Sequence, residues 1–205
     1  MSDISPQLVR ELREKTNAGM MDCKRALTEA GGDMVKAEDI LRAKGIASAG
    51  KKASRSAKEG IVASYIHLQG KVGVLVEVNC ETDFVAKNEN FREFVKDITL
   101  HIAAANPTCV SREQVDPAEI EREKAIYRQQ VEGKPANMVD KIVEGKVEKF
   151  YGTCCLMEQP FIKNPDLSIA DLVKSKITEL GENIVIRRFT RYLVGEGVAE
   201  EPAAE

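Results

Sequence analysis

Apolar positions at the start of the chain recur every three or four residues. Ile4, Leu8 and Leu12 share one helix face, and Ser5-Pro6 supplies an N-cap followed by proline at the first helical position. Thr16-Asn17-Ala18-Gly19 breaks that pattern. A second helix is expected from about Met21 to Ala30, where Gly31-Gly32 stops it. Asp33 caps a third, which carries Val35, Ile40 and Leu41 and ends at Gly45. Three helices within residues 1–46 enclose a very small core, suited to docking rather than to catalysis. Residues 47–60 are rich in Ser, Ala, Gly, Lys and Arg and read as a solvated linker with some helical character. Lys51, Lys52, Arg55 and Lys58 make it locally basic.

The period then shortens to two. Residues 61–68 form one strand, Gln69-Gly70 marks a turn, and Val72, Val74, Val76, Val78 and Cys80 line a single face of the return strand. That alternation predicts a hairpin with one buried side. Glu81-Thr82-Asp83-Phe84 leads out into a helix carrying Phe91, Phe94, Val95, Ile98, Ile102 and Ala105, which Asn106-Pro107 ends. Asp116-Pro117-Ala118-Glu119 has the form of a capping box opening a charged helix to about Glu132. A further helix follows Pro135, with Met138, Ile142, Val143, Val147 and Phe150 inward. Ser168 caps another, which carries Ile169, Leu172, Val173, Ile177 and Leu180 and stops at Gly181. Residues 184–194 are rich in β-branched and aromatic side chains and read as a strand, and the acidic tail 195–205 reads as disordered. The fold class is therefore α+β: an N-terminal three-helix domain, then a core over 61–194 with an antiparallel sheet and packed helices.

Composition narrows the function. With 43% hydrophobic and 31% charged residues the chain is globular, and a net charge of -3 supplies no basic field for direct nucleic-acid binding. Met1-Ser2-Asp3 does not open a signal peptide and no apolar run is long enough to span a bilayer, so a cytoplasmic location without a membrane partner is expected. The five cysteines are irregularly spaced, with Cys154 and Cys155 adjacent and no C-x-x-C pair, which fits a reducing compartment and argues against structural zinc.

Catalytic chemistry finds little support. The stretch from Gly45 to Lys52 matches G-x-x-x-x-G-K and then fails, because Lys52 stands where Ser or Thr must meet magnesium. Of two histidines, His67 lies on a strand near a turn. His101 lies on an apolar helix and reads as a satisfied, partly buried imidazole, kept only as a possible functional residue. Cys23, Cys80 and Cys109 carry no local signature of a reactive thiol. The expectation is a protein that is not an enzyme and needs no metal or cofactor. More informative are Met20 and Met21, at the opening of the second helix beside Asp22 and Lys24, and Phe84 at the strand exit. By residue type all three belong in a core; if exposed, they would be binding anchors.

These same residues carry a resemblance. The stretch from Val9 to Ala30, with Asn17-Ala18-Gly19-Met20-Met21-Asp22-Cys23-Lys24 at its centre, closely resembles the opening of the elongation factor Ts family. So do Thr82-Asp83-Phe84-Val85-Ala86-Lys87-Asn88, His101-Ile102-Ala103-Ala104, Glu158-Gln159-Pro160-Phe161 and Gly181-Glu182-Asn183-Ile184, in the family's order and over nearly the whole chain to Gly195. The resemblance implies a ubiquitin-associated-like N-terminal domain and a nucleotide-exchange function. Family members bind the GDP-loaded GTPase EF-Tu, release GDP, and leave the nucleotide-free protein when GTP enters. It further implies that Thr82, Asp83, Phe84 and Val85 displace the nucleotide's magnesium, with Phe84 wedged between EF-Tu helices. Arg13, Met20, Met21 and Lys24 would dock on the GTPase domain. The core runs from the hairpin helix directly to His101 and the C-terminal part, as in short members that work as homodimers. Arg187-Arg188-Phe189-Thr190-Arg191 contains no cysteine, so such a dimer would be non-covalent. An adaptor of the ubiquitin-associated type is the alternative, which the N-terminal segment alone permits but which gives residues 82–85 no role.

Overall fold

The computed structural model of the chain describes residues 4–16, 18–131, 133 and 135–197. The tail from 198, Asn17 in the first break and the expected helix limit at Glu132 lie outside these. The elements are α1 (Pro6–Thr16), α2 (Met20–Glu29), α3 (Met34–Lys52), β1 (Glu59–His67), β2 (Val72–Cys80), α4 (Asp83–Ala86), α5 (Glu89–Ala105), α6 (Pro117–Gln130), α7 (Ala136–Cys154), β3 (Pro160–Phe161), β4 (Asn164–Ser168), α8 (Ile169–Leu180) and β5 (Val185–Leu193). The α+β class holds, with an N-terminal helical region and antiparallel sheets. The chain divides into two compact units, one of Met1–Gly60, Asn79–Arg92 and Ala170–Val185, the other of Ile61–Val78, Glu93–Ile169 and Ile186–Glu205.

In the first unit α1, α2 and α3 close on Val9, Leu12, Cys23, Ala26, Leu27, Ala37 and Leu41. Three of these seven are Ala or Cys at the helix contacts, which lets short helices approach closely enough to exclude water. The ends are set locally. Ser5 Oγ accepts from the Leu8 N–H at 3.2 Å, and Asp33 Oδ1 accepts from the N–H groups of Val35 and Lys36 at 3.0 and 3.1 Å. Val35 is not part of this core; it is 69% exposed.

The third helix does not stop at Gly45. It runs on to Lys52, so the first part of the expected linker is helical. Gly45 serves a close approach instead. Thr178 of α8 donates from Oγ1 to the Gly45 carbonyl at 3.1 Å, and a Cβ at Gly45 would lie 3.2 Å from that hydroxyl. Lys51 and Lys52 in the last turn favour the extension by facing the negative end of the helix dipole. The G-x-x-x-x-G-K match is thus helical throughout and forms no phosphate loop.

In the second unit β2 lies between β1 and β5, leaving β1 and β5 as edges. Val72, Val74, Val76 and Val78 are all buried, as their alternation requires. The hairpin turns through three consecutive left-handed residues, Leu68, Gln69 and Gly70, with φ of 49°, 55° and 95°. The α6–α7 pair encloses a separate small core of Ile120, Val131, Val143 and Val147. Asp116 caps α6 by accepting from the Ala118 N–H at 2.9 Å, with Pro117 at the first helical position. Arg112 pairs with Glu148 and Glu158 and lies 4.3 Å from the centre of the Tyr151 ring. Met138, expected inward, is half exposed.

Candidate partner-docking site

The N-terminal part of the site is the outward face of α2. Leu27, Cys23 and Ala26 turn into the three-helix core, which leaves Met20 and Met21 at the helix start facing solvent, 51% and 67% exposed. Lys24, one turn on, shares that face. Met21 and Lys24 line an open groove of about 470 Å³ with Arg25, Thr28, Glu29 and Lys44. Its rim is charged: Arg25 pairs with Asp22, and Lys44 donates to Glu29. Arg13 on α1 is also exposed. The core reading of the two methionines is therefore overturned, because the cysteine and alanine of α2 already fill the space toward α1 and α3.

The second part is the exit of β2. Thr82 caps α4, its Oγ1 accepting from the Val85 N–H at 3.3 Å. Within this single helical turn Val85 and Ala86 point inward and are buried, whereas Phe84 is 81% exposed. The core reading of Phe84 fails because Val85 and Ala86 take the inward side of the turn and leave Phe84 on the other. Asp83 is held by Lys87 one turn later, Nζ donating to Oδ2 at 2.7 Å, and this contact draws its carboxyl below the usual aspartate range.

Four residues of helix are too few to be stable alone. The brace comes from the far end of the chain. Glu182 Oε2 accepts from the backbone N–H groups of Glu81 and Thr82, both at 3.0 Å, and Glu182 Oε1 accepts from the Thr82 hydroxyl at 2.6 Å. Asn183 is buried and reciprocates, its backbone N–H donating to Glu81 Oε1 at 2.6 Å. The Asn183 amide donates to the carbonyls of Ala53 and Arg55, at 3.3 and 2.7 Å, and Arg55 lies 3.5 Å from Glu81. Cys80 donates from Sγ to the Thr82 carbonyl at 3.1 Å, and burial beside Glu182 pushes its thiol up to about 11. Neither Glu182, Glu81, Asn183 nor Arg55 stood out as a site residue in the sequence. Only the block Gly181-Glu182-Asn183-Ile184 hinted at them, and nothing local ties that block to Thr82.

His101 lies apart from any surface, wholly buried. Its Nδ1 accepts from the Ile162 N–H at 3.3 Å, so the proton sits on Nε2, which donates to Gln159 Oε1 at 2.9 Å. Gln159 in turn donates to the Thr153 and Ala105 carbonyls. Burial lowers the imidazole pKa, and the ring is neutral and fully partnered. No helix among the described residues is long and apolar enough to cross a membrane.

Fold and site together define an α+β protein that presents bare hydrophobic side chains on two rigid supports, a three-helix module and a braced strand exit. The model of the family described as Elongation factor TS matches residues 47–196. An elongation factor Ts of Alkaliphilus oremlandii is 59% identical over 201 residues, covering 97% of this chain and 93% of the relative. Those of Carboxydothermus hydrogenoformans and Caldanaerobacter subterraneus are each 60% identical, covering 97% and 95% of this chain and 92% and 98% of theirs. This chain belongs to the elongation factor Ts family, and its length fits the short form.

Proposed function

We propose that this protein is a guanine-nucleotide exchange factor for EF-Tu, acting in the cytoplasm as a non-covalent homodimer and not as an enzyme. The observation that carries the reading is Phe84, a large ring left almost fully in solvent by a turn that Thr82 caps and Glu182 braces. An exposed phenylalanine at a fixed position is costly for a free protein and useful for one that inserts it into a partner. An exchange factor must bind nucleotide-free EF-Tu more tightly than the GDP form, and by linkage it then weakens GDP by the same factor. A ring driven between packed helices supplies such a difference, because close-packed interiors cannot absorb it without shifting. Asp83, beside Phe84, acts at the displaced magnesium site either by its charge or by redirecting hydrogen bonds there. The ubiquitin-associated-like helices supply affinity through Arg13, Met20, Met21 and Lys24. The adaptor alternative leaves Phe84 and its brace without a purpose.

Dimerisation is favoured by the sheet. Both edges are open, and Val62, Ile66, Leu75 and Tyr192 of its three strands are exposed. The test is stopped-flow release of fluorescent GDP from EF-Tu, with sedimentation of the factor in reducing agent. Release accelerated by catalytic amounts of a species of twice 22.6 kDa is expected. Release no faster than the spontaneous rate at saturating factor would remove the exchange reading, and a monomer mass at micromolar concentration would remove the dimer.

A further inference from the structure

The sequence offers no metal motif, yet the fold gathers three of its five cysteines. Cys154 ends α7 and Cys155 follows in extended conformation, with φ of -91° and ψ of 116°. This helix-to-strand break lets two neighbouring side chains turn toward one point, which neither a continuous helix nor a continuous strand permits. The third comes from the segment after α5. Cys109 pairs with Cys155 as a parallel bridge, locked by Cys109 N–H to the Cys154 carbonyl at 3.3 Å, Leu156 N–H to the Cys109 carbonyl at 2.9 Å, and Met157 N–H to the Val110 carbonyl at 3.0 Å. The sulfurs of Cys109 and Cys155 are 3.7 Å apart, those of Cys154 and Cys155 also 3.7 Å, and all three lie within 4.8 Å of one another.

We propose that Cys109, Cys154 and Cys155 form a three-thiolate site for a soft monovalent cation of the Cu(I) type. Three sulfurs about 2.3 Å from a shared ion stand about 4 Å apart, so the two edges of 3.7 Å need adjustments of only a few tenths of an ångström and the third, within 4.8 Å, closes by less than about 1 Å. Sulfur-only donor sets select thiophilic ions. Zinc would need a fourth ligand, and among the described residues no histidine or carboxylate joins the cluster. Cys154 and Cys155 are buried, while partly exposed Cys109 gives the ion a way in.

The experiment titrates the reduced full-length protein with Cu(I) held by a competing chelator. One ion per chain is expected, with three sulfur neighbours at a single distance by X-ray absorption. The Cys23→Ser/Cys80→Ser variant should bind equally well. Cys155→Ser should lose affinity by about a hundredfold or more, beyond the loss that an outer-shell change brings. Cys109→Ser, at the least buried of the three positions, provides the same reading if Cys155→Ser does not fold. Failure to take Cu(I) from the chelator, equal uptake by the Cys109→Ser variant, or preference for Zn(II) over Cu(I) would each overturn the assignment.

Discussion

The α2 face and the β2 exit present hydrophobic side chains to solvent by opposite means. Met20 and Met21 stand on a module whose core residues all lie between Val9 and Leu41, so the core that supports them is near in sequence. Phe84 stands on one turn of helix whose supports, Glu182 and Asn183, come about a hundred residues later. The first surface can be changed only by altering it directly. The second rests on residues distant from it in sequence.

The sharpest way to separate the two is Phe84→Ala. An exposed side chain can be removed without a folding penalty, so circular dichroism should be unchanged. Loss of an anchor of about 2–4 kcal/mol would slow GDP release about thirty- to several-hundredfold. Near-normal release by the folded variant would take Phe84 out of the mechanism. Changing Met20 and Met21 together to Ala should instead weaken EF-Tu binding by about 1–3 kcal/mol, roughly five- to 150-fold, while maximal release at saturating factor falls much less. Equal losses in both quantities would mean that α2 and the β2 exit act as one surface.

Glu182→Ala tests action at a distance. It removes the acceptor of two backbone N–H groups and a hydroxyl, but Thr82 is exposed and water can replace part of the loss. Stability should fall by about 1 kcal/mol and release by about three- to tenfold, with binding through α2 retained. Unchanged release in this variant would show that the turn holds its shape without the brace. The smallest effect belongs to His101. Burial holds its folded-state pKa below the ordinary histidine value, so the unfolded chain binds the proton more readily. Its contribution is complete above that value and is lost as pH falls through it toward the lower folded value. Urea denaturation of wild type against His101→Gln across this range should show the slope in the first and not in the second, with exchange at neutral pH unaltered.

Much of the scaffold was legible because it rests on short-range periodicity. The valines of β2 and the apolar stripe of α5 lie as their spacing predicts, and Asp33 and Asp116 cap the helices they precede. The errors have a common origin. Gly45 read as a stop, but Thr178 occupies the space beside it and the helix continues. Val35 and Met138 fit helix spacing yet face outward.

By itself the sequence determined the class of each long element, most helix ends, and the identity of the residues that mark the family, since these depend on backbone propensity and on residues a few positions apart. Tertiary structure alone decided which apolar residues are left bare. It turned Phe84 out by turning Val85 in, filled the α2 interior with Cys23 and Ala26 so that the methionines remain outside, and brought Glu182 to Thr82 and Cys109 to Cys155. Exposure and long-range pairing depend on which surfaces meet, and no local pattern of polar and apolar residues encodes that.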